Sequence, residues 1–81
     1  MDKSIYGREH RILAELLRST REKAGLRQVD VAERLGWPQS AISKYESGER
    51  RLDLVELRRV CDALGVSVVA LVTRFDRAAR T

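Results

Sequence analysis

The chain has 81 residues and a formal net charge of +4, from 16 Lys and Arg against 12 Asp and Glu. A chain of this length forms one small domain and buries only roughly 60–65% of the surface that its unfolded form exposes, which leaves no room for a deep catalytic cavity. Cys61 is the only cysteine, which excludes an intramolecular disulfide and argues against a Cys-based metal site.

Of the 16 basic residues, 13 are Arg, whose rigid donor fork suits phosphate and guanine. The charge leans towards an anionic partner without naming one. The opening "MDKSIYGREH" is charged and no apolar run follows it, so no signal peptide fits. No stretch reaches the ~18 apolar residues of a membrane span, and a cytoplasmic location is expected. Leu, Ala, Arg and Glu are abundant, proline occurs once, and β-branched residues never alternate over a long run; an all-α domain is expected.

Four of the five glycines, Gly25, Gly36, Gly48 and Gly65, follow apolar-periodic segments. Glycine is the usual residue just past a helix end, so four helices close there and a fifth follows. The first is expected from about Arg8 to Ala24, with Ile12, Leu13, Leu16, Leu17, Thr20 and Ala24 on its apolar stripe. Before it, "MDKSIYGRE" reads as a mobile terminus or as a basic arm. The second helix covers about Gln28 to Leu35, with Val31, Ala32 and Leu35 inward. The third covers about Gln39 to Ser47, after a joint of only "GWP"; two short helices with a tight Gly-containing turn make a helix-turn-helix.

The fourth helix begins near Asp53, its expected N-cap, and buries Leu57, Val60, Cys61 and Leu64. The fifth begins after Ser67, with Val66 and Leu71 at hydrophobic-staple spacing. Leu71, Val72 and Phe75 are expected in the core, joined by Val68, and the tail "DRAART" is expected to fray for want of apolar content. The domain is therefore expected to span 1–81, with a core of about 8–75 and flexible termini at 1–7 and 76–81.

The third helix carries the most informative surface. At about 100° per residue, Gln39, Ser40, Ser43, Lys44 and Ser47 fall within about 140° of arc, while Ala41, Ile42 and Tyr45 point away. That polar face has no carboxylate. Gln bonds adenine bidentately, Lys reaches guanine or phosphate, and Ser serves either. Taken alone, the face suits a solvated helix or one completed by nucleic acid.

From Gln28 onward the pattern is Gln28, Val31-Ala32, Leu35-Gly36, Gln39-Ser40, Ile42-Ser43, Tyr45-Glu46 and Gly48, with "ALGVS" and Leu71-Val72 after it. At that spacing, over about residues 12 to 75, the chain resembles the Cro-like phage-repressor (XRE) helix-turn-helix family. The resemblance implies a compact five-helix lambda-repressor-like domain whose second and third helices form the helix-turn-helix. It implies a sequence-specific regulator that binds double-stranded DNA as a homodimer, a repressor by default, on a palindromic operator.

Carried over by position, Gln39, Ser40, Ser43 and Lys44 are the base-reading candidates. Gln28, Arg27, Ser47, Arg50 and Arg51 are the DNA-backbone candidates, Gln28 also being placed to fix Gln39. Glu46 is expected to pair with Arg21 on the first helix. Two positions depart from the family pattern: Arg27 stands where a capping Thr, Ser or Asn is usual, and Pro38 stands at the next cap, so Trp37-Pro38 sets the entry of the third helix by stiffness and packing. With no second domain expected, dimerisation falls to the fifth helix, the turn between the fourth and fifth helices or the termini, with Val69 and Ala70 as candidates.

A second function class stays open: an antitoxin or other protein-interaction module, with a toxin partner. An enzyme is not expected, because Ser40, Ser43, His10 and Asp53 form no nucleophile arrangement. No cofactor or metal is expected, and Cys61 reads as core.

Overall fold

A computed structural model describes the backbone of residues 3–81 and the side chains of residues 7–81. Five helices follow one another: α1 Lys3–Lys23, α2 Gln28–Leu35, α3 Gln39–Ser47, α4 Leu54–Leu64 and α5 Val68–Arg80. No strand occurs among the described residues. The fold is all-α, as composition and periodicity indicate.

Each helix supplies at least one plug to a single core. Leu17 comes from α1, Val31 from α2, Ile42 from α3, Val60 and Cys61 from α4, and Leu71 from α5; these are the largest fully buried side chains. Each aliphatic side chain buried this way contributes about 1.5–3 kcal/mol. α3 packs on α1 and α2, α2 also packs on α4, and α5 closes the bundle against α1 and α4. α3 is thus held from two sides by elements that the rest of the core fixes.

The turn between α2 and α3 is as tight as its three residues require. Gly36 adopts φ +70°, and the Trp37 N–H donates to the Ala32 carbonyl at 3.0 Å. A left-handed residue at this position lets the chain reverse while satisfying the last helical carbonyls.

Four expectations are corrected. α1 begins at Lys3, not near Arg8. Gly7 weakens a helix by about 1 kcal/mol relative to Ala, which a long helix tolerates. The segment read as a mobile terminus or a basic arm thus carries helical backbone from residue 3 on, and Met1 and Asp2 lie outside the described residues. α1 also ends at Lys23, and Ala24 is exposed, not on the inward stripe.

The tail does not fray at residue 76: α5 continues to Arg80. Arg80 pairs with Asp76 one turn back at 3.1 Å, and an Arg8 guanidinium N–H donates to the Ala79 carbonyl at 3.0 Å, tying the end of α5 to α1. Polar capping supplies what apolar content lacks. Val72, expected inside, is 41% exposed. Leu71 fills the core position of that turn, and a neighbour about 100° further round the helix is carried outward.

The capping expectations for α4 and α5 hold. Asp53 accepts from the Glu56 N–H at 2.7 Å and Glu56 accepts in return from the Asp53 N–H at 3.0 Å, a reciprocal capping box. Ser67 accepts from the Val69 and Ala70 N–H groups. Val66 packs on the cluster that contains Leu71, in keeping with the staple spacing.

Candidate nucleic-acid interface

α3 starts without a side-chain cap, since Pro38 has none to give. Its φ of −68° is instead the value at which the ring is locked, so the approach to the helix is set covalently. The Ala41 N–H donates to the Pro38 carbonyl at 3.0 Å and starts the helical ladder. Ala41, Ile42 and Tyr45 are buried, and this anchors the rotation of the helix about its axis. Gln39, Ser40, Ser43, Lys44 and Ser47 are all exposed on the other side, as the helical wheel places them. The Ser47 hydroxyl donates to the Lys44 carbonyl at 3.0 Å, so it is partly engaged within the helix end.

Glu46 is the one carboxylate of α3, and it is turned away from that face. Its side chain is 4% exposed and that of Arg21 is 11% exposed. The contact is bidentate: Arg21 Nε donates to Glu46 Oε2 at 2.7 Å and Nη2 donates to Oε1 at 3.0 Å. The remaining Arg21 nitrogen, Nη1, donates to the Leu26 carbonyl at 2.8 Å. One guanidinium therefore joins α1, the loop before α2, and α3. The hydrogen bonds to Glu46 push the Arg21 guanidinium further above its ordinary range.

Gln28 extends this network. Its Nε2 donates to Glu46 Oε1 at 3.1 Å, and its Oε1 accepts from Gln39 Nε2 at 3.4 Å. The first residues of α2 and α3 are thereby linked side chain to side chain, and through Glu46 to α1.

The basic residues divide into engaged and available. Arg27 is largely exposed, but its fork folds back onto Asp30, with Nη2 to Oδ1 at 2.9 Å and Nε to Oδ2 at 3.1 Å. These hydrogen bonds hold the Asp30 carboxyl below the ordinary carboxylate range. The expectation that Arg27 leaves α2 without a cap needs amendment: Asp30 accepts from the Arg27 backbone N–H at 2.8 Å, which caps one of the free donors from the third helical position.

Arg50 is also engaged. Its Nη2 donates to Glu56 Oε2 at 2.8 Å, and its guanidinium lies 4.8 Å from the centroid of the Trp37 ring. Trp37 is half-buried against the core and packs on the domain, as expected. Arg51 and Lys44 are exposed and make no ion pair among the described residues.

Two residues of α1 that were not among the sequence candidates for the interface, Arg18 and His10, belong to this region. Arg18 lines a shallow depression of about 180 Å³ with Gln28, Ser43, Glu46 and Ser47. The available signal was its position, one turn before Arg21 on the same helix. His10 Nε2 lies 3.0 Å from the Gly48 carbonyl and ties α1 to the end of α3. Nothing in the spacing of a lone His signals such a contact.

A second exposed surface is apolar. Leu54 is 71% exposed, Val55 70%, Val69 71% and Val72 41%. Leu54, Val69 and Val72 line one groove of about 510 Å³ together with the half-buried Val68 and Phe75. Ala70, the other dimer candidate, is exposed but does not line this groove. No group of His, Cys, Asp and Glu side chains among the described residues is arranged to hold a metal ion. Cys61 is buried, and burial pushes its thiol up to about 11.

Known proteins share this arrangement. Residues 12–75 match the family of helix-turn-helix domains. An HTH-type transcriptional regulator of Sinorhizobium fredii, y4dJ, is 44% identical over 56 residues, which cover 69% of this chain and 73% of that protein. An XRE-family-like protein from Pseudomonas syringae superimposes with a TM-score of 0.87 at 38% identity, covering 94% of this chain and 93% of the other. The restriction-modification controller protein C.Esp1396I, captured as a tetramer on its 35-base-pair operator, shares the fold with a TM-score of 0.81 at 20% identity, covering 90% and 96% of the two chains. A buried core that presents α3 outward from a three-residue turn, and a match that spans residues 12–75, place this chain in the XRE-type helix-turn-helix family of transcriptional regulators.

Proposed function

We propose that this protein is a sequence-specific double-stranded DNA-binding regulator that inserts α3 into the major groove and represses by occupying a promoter. The observation that carries this reading is the outward face of α3. Gln39, Ser40, Ser43, Lys44 and Ser47 are exposed together, while the helix's only carboxylate is turned inward and neutralised by Arg21. A face free of negative charge, with short hydroxyls between a Gln and a Lys, suits close approach to base edges. Arg51 and the free N–H groups at the start of α2 are then placed for backbone phosphates. Its activity is binding, without catalysis, and its place is the cytoplasm, in association with the nucleoid.

The working form is a homodimer on a palindromic operator. A single helix-turn-helix buries too little surface for strong specificity, and dimers of this kind bind half-sites roughly 34 Å apart. The exposed Leu54, Val69 and Val72 supply the joining surface, because apolar side chains this exposed and adjacent are costly to leave in water. C.Esp1396I, which shares the fold, stands on its operator as an oligomer.

Selection of bound duplexes from a random pool tests the proposal. The expected product is an inverted repeat with half-sites about one helical turn apart. A folded protein that enriches no motif at low salt would overturn it.

A further inference from the structure

We propose that Arg18 of α1 holds a backbone phosphate of double-stranded DNA, in the role that the sequence assigns to Arg27. This rests on the proposed DNA-binding role of α3 and deepens it by adding α1 to the elements that grip the duplex.

The arginines around the start of α2 and the end of α3 are not equally free. Arg27 is next to α2 in the chain, but its fork is closed on Asp30, through Nη2 at 2.9 Å and Nε at 3.1 Å. Arg21 commits Nε, Nη1 and Nη2 to Glu46 and the Leu26 carbonyl. Arg50 is held by Glu56 and lies over the Trp37 ring. Arg18 differs from all three. Its side chain is 62% exposed, and its ion pair with Glu22 is 3.6 Å long, a separation too great for a hydrogen bond. Glu22 is itself more than half exposed, so water screens the attraction.

Position directs this free guanidinium to the duplex. Arg18 stands one turn before Arg21 on α1, so the two side chains are neighbours on the helix surface. Arg21 turns in to Glu46, while Arg18 stays at the rim. There it lines the shallow depression with Gln28, Ser43, Glu46 and Ser47. Gln28 opens α2, and Ser43 and Ser47 belong to the outward face of α3. A strand seated beside α3 therefore passes over a guanidinium from α1, hydroxyls from α3 and the first residue of α2. The Glu46 carboxylate at the same depression is offset, because it accepts from both Arg21 and Gln28. A guanidinium meets a phosphate with two parallel N–H donors, and leaving a long, solvated contact with Glu22 for that geometry sacrifices little.

Salt titration of binding by fluorescence anisotropy tests this, on the selected operator and on an unrelated duplex. Arg18→Ala is compared with Arg59→Ala, which removes the same charge from an exposed position on α4, beside Arg34 and Asp62. Arg18→Ala is expected to weaken binding to both duplexes by roughly tenfold per protomer bound. The slope of log affinity against log salt is expected to become shallower by about 0.9 per protomer. Base preferences on the operator should persist, because a phosphate carries no sequence. Arg18→Lys is expected to restore the slope and part of the affinity, since Lys keeps the charge without the fork. Arg59→Ala should stay close to wild type in both. Should Arg18→Ala fail to fold by circular dichroism, Arg18→Gln, which keeps an aliphatic stem, takes its place. If Arg18→Ala binds as Arg59→Ala does, in affinity and in slope, the role of Arg18 is overturned. Loss of preference at one base pair with an unchanged slope would overturn it too, and either result leaves the DNA-binding proposal standing. A folded wild-type protein that prefers no duplex would instead overturn the reading role of α3.

Discussion

Arg21→Ala leaves a nearly buried carboxylate without its main partner. The substitution strips both guanidinium donors from a carboxylate that is 4% exposed and removes the bond to the Leu26 carbonyl. Breaking a buried pair from one side costs about 3–5 kcal/mol, because the partner charge stays buried without compensation. Gln28 still donates to Glu46 at 3.1 Å, which places the loss at the lower end, about 3 kcal/mol. For a domain of this size each kcal/mol lowers Tm by roughly 4–8 °C, so a fall of roughly 12–24 °C is expected. Thermal unfolding followed by circular dichroism, with reversibility checked, reads it directly. Arg18→Ala is the internal control: its pair with Glu22 is 3.6 Å long and more than half exposed on both sides, and such pairs contribute at most about 0.5 kcal/mol. If Arg21→Ala and Arg18→Ala melt within about 4 °C of each other, the pair does not hold α3 to α1 and the reasoning fails.

Other consequences follow from the same geometry. Val69→Glu, at a position 71% exposed on the apolar groove, is expected to give a monomer by sedimentation equilibrium with unchanged helical content; a dimer that survives it would move the interface elsewhere. Asp53→Ala removes the acceptor for the Glu56 N–H and is expected to cost about 1 kcal/mol, read as a Tm lowered by roughly 4–8 °C. Cys61 is expected to resist a thiol-specific disulfide reagent at pH 8 in the folded protein and to react once urea unfolds it. Its folded value of about 11 lies above the ordinary 9.0, so its contribution to stability is complete below about pH 9 and is lost as the pH rises towards 11; alkaline unfolding should therefore be less steep in Cys61→Ala.

Much of this architecture is legible in the residues. Gly36 and Gly48 mark helix ends because a left-handed residue is needed there, and Gln28–Leu35 and Gln39–Ser47 run between those marks as read. Asp53 and Ser67 announce α4 and α5 because a short polar side chain before an apolar run has one obvious use. The misreadings share a cause. The extension of α5 to Arg80 depends on Arg8, 71 residues away in sequence, and no local pattern carries that contact. Val72 continues the apolar run, but only the packed bundle determines that Leu71 takes the inward place.

At the candidate interface, the face of α3 follows from the helical period alone, and the Arg21–Glu46 pair follows from the family pattern. The engagement of Arg27 with Asp30 and of Arg50 with Glu56 and Trp37 does not. Basic side chains next to a candidate phosphate site look alike in sequence whether or not a carboxylate is within reach. Arg51 and Lys44, exposed and unpaired among the described residues, differ from them only in three dimensions.

The most direct measurement compares wild-type protein with Gln39→Ala/Lys44→Ala on the selected operator and on an unrelated duplex, by fluorescence anisotropy at two salt concentrations. Both substituted side chains are exposed, so the fold is expected to stand. Wild-type protein should prefer the operator by about 10³-fold or more, and both duplexes should weaken steeply with salt. In the double variant the preference should collapse while salt-dependent binding to the unrelated duplex persists. A variant that kept the wild-type preference would show that α3 does not read the bases.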